Sequence, residues 1–169
     1  MPSSKAHLVV RKKEDANVVS KYVSSGVPIF ILYHASWCPH CVRFVGENYE
    51  PSYPWQQICD MVKKSFKDKV LCIEVEETQM GNLPAEINQI RGFPTLMLIQ
   101  KGGVSIEYMG GRENVDEVKA FLEEKTGLKG GAIRKKTTEI KKTAGKTTTK
   151  KDTKGGKDKK KTETSSKKK

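Results

Sequence analysis

The stretch that most constrains this chain is Val27-Pro28-Ile29-Phe30-Ile31-Leu32-Tyr33, closed by His34 and Ala35. A continuous apolar run of β-branched and aromatic residues, over 28–35, predicts a strand buried on both faces. It is far too short for the ~20 residues of a membrane-spanning helix. A strand hidden on both sides needs helices above and below its sheet, so the rest of the chain must supply them.

The periodicity supplies them. Val18, Val19, Tyr22 and Val23 follow Glu14-Asp15 at helical spacing, and Gly26 stops a helix over about 14–25. Leu8-Val9-Val10 before it reads as a short edge strand. After residue 41 a helical pattern runs through Val42, Phe44 and Val45. It is broken by Pro51 and Pro54 and resumes through Trp55, Ile58, Met61, Val62 and Phe66. Val70–Val75 is a second buried strand. Pro84, with Ile87 and Ile90 on one face, predicts a short helix. Thr95–Ile99 is a third strand, Lys101-Gly102-Gly103 a turn, and Val104–Met109 the returning strand. Asn114 and Glu117 form a capping box for a last helix that buries Val115, Val118, Phe121 and Leu122 and ends at Gly127. The result is an α/β domain over 1–127 without internal repeats.

Charge separates this domain from the rest. Residues 128–169 hold 17 Lys/Arg against 4 Asp/Glu, whereas residues 1–127 hold 15 against 16. The C-terminal segment lacks aromatics, has few apolar residues, and is dominated by Lys, Thr, Gly and Ser. Such a composition cannot offset an ordering cost of ~1–2 kcal/mol per residue, and predicts a disordered tail. Its charge suits non-specific binding to nucleic acid or another polyanion. With no aromatics to stack on bases, sequence reading is not expected. Lys159-Lys160-Lys161 also fits a nuclear import signal. The N-terminus has no apolar signal core, and the four cysteines do not make a disulfide scaffold. The expectation is an intracellular, cytoplasmic protein, with nuclear residence or packaging in a DNA-containing particle as variants.

Chemistry is concentrated in Cys38-Pro39-His40-Cys41, placed between the buried strand and the start of a helix. Two intervening residues bring both sulfurs into bonding reach on one helical turn. Backbone N–H groups at the helix start favour a thiolate on Cys38, making it the nucleophile and Cys41 the resolving thiol. Protonated His40 would add positive charge beside Cys38 and make the couple more oxidising. The competing reading is a structural metal site, which needs two further ligands. Cys59 and Cys72 are isolated on apolar periodic positions and His34 lies in the strand. No metal is therefore expected, and Cys59 and Cys72 read as small core hydrophobes.

Three segments in order, Ala35-Ser36-Trp37-Cys38-Pro39-His40-Cys41, Arg91-Gly92-Phe93-Pro94-Thr95 and Tyr108-Met109-Gly110-Gly111-Arg112, resemble the thioredoxin superfamily over about residues 7–126. The resemblance is nearest to the catalytic domains of protein disulfide isomerases. It implies a central mixed sheet flanked by helices, with Trp37 bordering the site and Pro39 within it. It also implies a cis Pro94 facing the sulfurs, with the backbone of Phe93 free to pair with an extended substrate. Arg112 matches an arginine that eases deprotonation of the resolving cysteine; the alternative is a solvated charge. Glu47 matches a helix glutamate and reads as structural. Two departures stand out. Leu32 occupies the place of the family's buried acid, six residues before the first cysteine, which implies slower resolution. Gly46 replaces the helix proline, which implies a changed kink.

The expectation is a thiol–disulfide oxidoreductase whose only redox group is the Cys38–Cys41 pair. Its partners would be protein thiols or disulfides and a reductase or sulfhydryl oxidase. The alternative is a thioredoxin-fold binding module tethered to a polyanion by its tail.

Overall fold

The computed structural model describes residues 7–46 and 50–131, which fall within one compact unit, Met1–Lys135. Glu47 and the expected tail beyond Gly131 lie outside the described residues. The elements are β1 (His7–Val10), α1 (Lys13–Ser25), β2 (Ile29–His34), α2 (Pro39–Val45), α3 (Pro54–Phe66), β3 (Leu71–Glu76), β4 (Thr95–Ile99), β5 (Ser105–Glu107) and α4 (Val115–Thr126).

The five strands form one mixed sheet in the order β1-β3-β2-β4-β5. β1, β3 and β2 run parallel, and β4 and β5 are antiparallel to their neighbours. β2 pairs on both edges, with β3 and with β4. Its residues 29–33 are fully buried, which is why no polar alternation marks this strand.

Period-two geometry sorts the side chains into two cores. Ile29, Ile31 and Tyr33 join Ile73, Val75, Met97 and Ile99 beneath α1, where Ala16 and Val19 meet them. Phe30 and Leu32 join Cys72, Leu96 and Leu98 on the opposite face, covered by α2, α3 and α4. Trp55 of α3 is fully buried there, surrounded by the rings of Phe30 and Phe44.

The caps follow the residues. Pro54 opens α3 in its first turn. Asn114 accepts from the Glu117 N–H at 3.3 Å to start α4, a bond worth about 1 kcal/mol. Gly26 and Gly127 end α1 and α4 in the left-handed conformation.

Three expectations need correction. The segment after Pro84 is no α-helix. Residues 77–82 and Ala85–Ile87 form 3-10 turns, and Asn88 Nδ2 donates to the Met80 carbonyl at 2.8 Å, folding the chain back before another turn can form. Gly46 does not soften a kink inside a helix but ends α2, at φ 77° and ψ 165°. The folded body also continues past Gly127. Leu128 packs on the α3–α4 core, and the Gly131 N–H donates to the Ser65 carbonyl at 3.0 Å.

Candidate active site

Everything at this site hangs on the end of β2. The strand stops at His34, and the Cys38 N–H bonds back to the Ala35 carbonyl at 3.1 Å, turning the chain into α2. Cys38 is the residue before the helix, Pro39 fills the first turn, and Cys41 lies within it. Proline costs nothing in that place, because the N–H it lacks would have no helical partner. Cys38 keeps 6% of its surface and Cys41 1%.

The two thiols differ in acidity. Cys38 is held below its ordinary value, chiefly by a hydrogen bond from the Cys41 thiol. Burial opposes this, and the backbone N–H groups of Cys41 and His40 assist it. Cys41 is pushed up to about 12, first by burial, then by its bond to Cys38 and by the Cys38 charge. Its contact with the Ala35 backbone and the positive charge of Arg112 act the other way. One sulfur is therefore disposed to attack and its neighbour to keep its proton.

Phe93 and Pro94 complete the wall. The peptide bond between them is cis, and the Phe93 carbonyl lies 3.8 Å from Cys38 Sγ. Ala35, Cys38 and Cys41 make a small cluster against the Phe93 side chain. Trp37 stays 68% exposed but is not loose. Its ring meets Phe93 edge to face, with centroids 6.0 Å apart, and its Nε1 donates to Glu77. From Pro94 a groove of about 1000 Å³ runs past His40, Arg43, Met109 and Arg112.

The structure thus gathers Trp37, Cys38, Pro39, His40, Cys41, Phe93 and Pro94 at the end of β2, with Arg112 on the groove wall. The His40 ring lies 3.0 Å from the Arg43 guanidinium, at Nδ1, while the backbone N–H of His40 faces the Cys38 sulfur. Reading the sequence missed Arg43 and Glu77. An arginine one helical turn after His40 was a visible cue, whereas Glu77 arrives from a segment far along the chain. It also missed Glu74, a buried carboxylate whose register partner on β2 is Leu32. Among the described residues no group of three or more His, Cys, Asp or Glu is arranged to hold a metal ion.

The thioredoxin family profile matches residues 8–124. The chain belongs to the thioredoxin family. Human protein disulfide-isomerase A6 is 36% identical over 93 residues, 55% of this chain and 19% of that protein. A probable protein disulfide-isomerase A6 of Medicago sativa is 28% identical over 134 residues, 79% of this chain and 34% of that protein. The chain therefore spans only a minor part of the length of these thioredoxin-family relatives. Among solved structures, the J-Trx1 fragment of ERdj5 superposes with a TM-score of 0.53 at 15% identity, over 74% of this chain and 54% of that one. The first thioredoxin domain of mouse protein disulfide-isomerase A4 gives 0.50 at 20%, over 69% and 72%. These superpositions carry the fold alone. The sequence relatives add that thiol–disulfide oxidoreduction is the activity at family level.

Proposed function

We propose that this protein exchanges disulfides with protein substrates through Cys38 and Cys41. The observation that carries the reading is the placement of Cys38 just before α2 and Cys41 within it, one thiol lowered and one raised, beside the Phe93 backbone carbonyl.

In the reducing direction the Cys38 thiolate attacks a substrate disulfide. One substrate sulfur leaves as a thiolate and the other forms a mixed disulfide with Cys38. Cys41 then loses its proton, attacks Cys38 Sγ and releases the second substrate thiol. The Cys38–Cys41 disulfide now holds the two-electron oxidation that the substrate has lost. The oxidising direction is the reverse. Trp37, Phe93 and Pro94 supply the wall on which an extended peptide lies, its backbone paired with that of Phe93.

The pair is more oxidising than thioredoxin. A lowered Cys38 means a stabilised reduced form, and the Arg43 guanidinium, 3.0 Å from His40 Nδ1, adds positive charge one turn further along α2. Equilibration with glutathione should give a potential between roughly −200 and −120 mV; a value near about −270 mV would make the protein a reductant instead. Cys38→Ser should abolish turnover of a disulfide-bonded substrate, and Cys41→Ser should trap the mixed disulfide. Turnover persisting in Cys38→Ser would remove the reading.

A further inference from the structure

Cys59 and Cys72 lie far from the active-site pair in function, and the sequence gives no reason to connect them. The fold does. Cys59 sits in the buried stripe of α3 and Cys72 near the start of β3, on the face that α3 covers. Both belong to the core around Trp55 and Phe30, and they keep 5% and 0% of their surface. The two thiols are hydrogen-bond partners of each other. The helix register and the strand pleat thus aim two sulfurs from different elements at one spot. Nothing in the Cys38–Cys41 chemistry uses them.

We propose that Cys59 and Cys72 are a second redox pair, a core disulfide that closes while the chain folds and is then sealed by the core. The step balances with oxidised glutathione as the oxidant. One thiol, as thiolate, attacks it and forms a mixed disulfide, releasing one glutathione. The second thiol displaces the other glutathione, leaving the Cys59–Cys72 bond and two reduced glutathiones, whose thiols carry the two protons that the cysteines gave up.

Timing follows from burial. In the folded protein an incoming disulfide cannot reach either sulfur, and burial pushes the Cys59 thiol well up, so little thiolate exists to react. During folding, before α3 settles on β3, both thiols are open. The same burial then shields the finished bond from reductants. The state of this pair therefore records the conditions under which the chain folded, while Cys38–Cys41 follows the conditions around it afterwards.

Trypsin makes the test direct, because it separates the pairs. Residues 22–43 carry Cys38 and Cys41, residues 44–63 carry Cys59, and residues 70–91 carry Cys72. Full-length protein is unfolded with reductant, refolded in a glutathione buffer containing the oxidised form, quenched with acid, alkylated in denaturant and digested. The expected product is peptide 44–63 joined to 70–91, lost again when reductant is added in denaturant but not in native buffer. Reduced, already folded protein given the same buffer should close only the pair within 22–43. Both peptides alkylated after refolding, or each joined to glutathione or to 22–43, would overturn the proposal. Closure at equal rates in folded and refolding protein would overturn the sealing. Cys59→Ala and Cys72→Ala chains should each lose the linked peptide and leave the 22–43 bond in place.

Discussion

Two influences act on the Cys41 thiol in opposite directions. Burial and the neighbouring Cys38 drive its ionisation up to about 12, while the Arg112 charge holds it down. Removing that charge should move Cys41 further from ionisation without touching the attack by Cys38. Arg112→Gln should therefore slow release of the mixed disulfide roughly 3- to 10-fold. Each further pKa unit costs about a factor of ten in thiolate, and the greater nucleophilicity of a more basic sulfur returns part of it. Stopped-flow with a fluorescent peptide disulfide separates the phases, and a slowed first phase with an unchanged second would refute the assignment. The release rate should also climb with pH throughout the neutral range, because so little of Cys41 is ionised there. Arg112 was legible in the sequence only because it closes the Tyr108–Arg112 segment. Glu74 was harder. It sits inside a strand that reads as one apolar run, and hydropathy has no means of saying that Trp55 and two histidines converge on it. The cue was there: a lone acid between Ile73 and Val75 in a strand buried on both faces must find partners.

At the scale of elements, short helix α2 is defined by what ends it. Gly46 stands at φ 77° and ψ 165°, a region that residues with a Cβ scarcely enter. A Cβ there would also overlap the Tyr53 ring. Gly46→Ala should cost about 2–4 kcal/mol by combining backbone strain with overpacking, read as a lower midpoint in urea. Because Cys38 caps α2 and Cys41 lies within it, the potential of the pair should shift as well. A variant with wild-type stability would show that the chain turns there by another route. The strands and the other helices were readable because their signals are local: apolar runs, Pro54 at a helix start, Asn114 with Glu117, and Gly26 and Gly127 at helix ends. The segment after Pro84 was not. Its apolar spacing is compatible with a helix, and what decides against one is a contact from Asn88 to Met80 that no periodicity contains. The pairing of Cys59 with Cys72 escaped for the same reason, since each occupies an ordinary core position in its own element.

Over the whole molecule, the buried carboxylate of Glu74 links stability to acidity. It accepts from Trp55 Nε1 at 2.9 Å, and His34 Nε2 and His7 Nε2 lie 3.2 and 3.6 Å away, tying β1, β2, β3 and α3 together. Burial alone would push this carboxyl up. Bonding to His34 and His7, with their charge, more than offsets it and brings the group down to about 2, against an ordinary 4.5. A carboxyl that is more acidic folded than unfolded stabilises the fold fully above its unfolded value. That contribution is lost as pH falls through the folded one. The window therefore runs from about 4.5 down to about 2, and the amount at stake is about 3 kcal/mol, at roughly 1.4 kcal/mol per pKa unit. Glu76 is a second carboxylate held below its ordinary value, against burial, by its bonds to Thr78 and to the Ser36 backbone and by the charge of His34. The measurement must be a difference: urea unfolding of wild type and Glu74→Gln at steps from pH 7 to pH 2. Glutamine keeps the size and one acceptor but cannot ionise. Wild type should be the more stable at pH 7 by a margin that stays level down to about pH 4.5. The gap should then close by about 3 kcal/mol towards pH 2. Curves that stay parallel would mean that the carboxylate gains nothing from its two histidines.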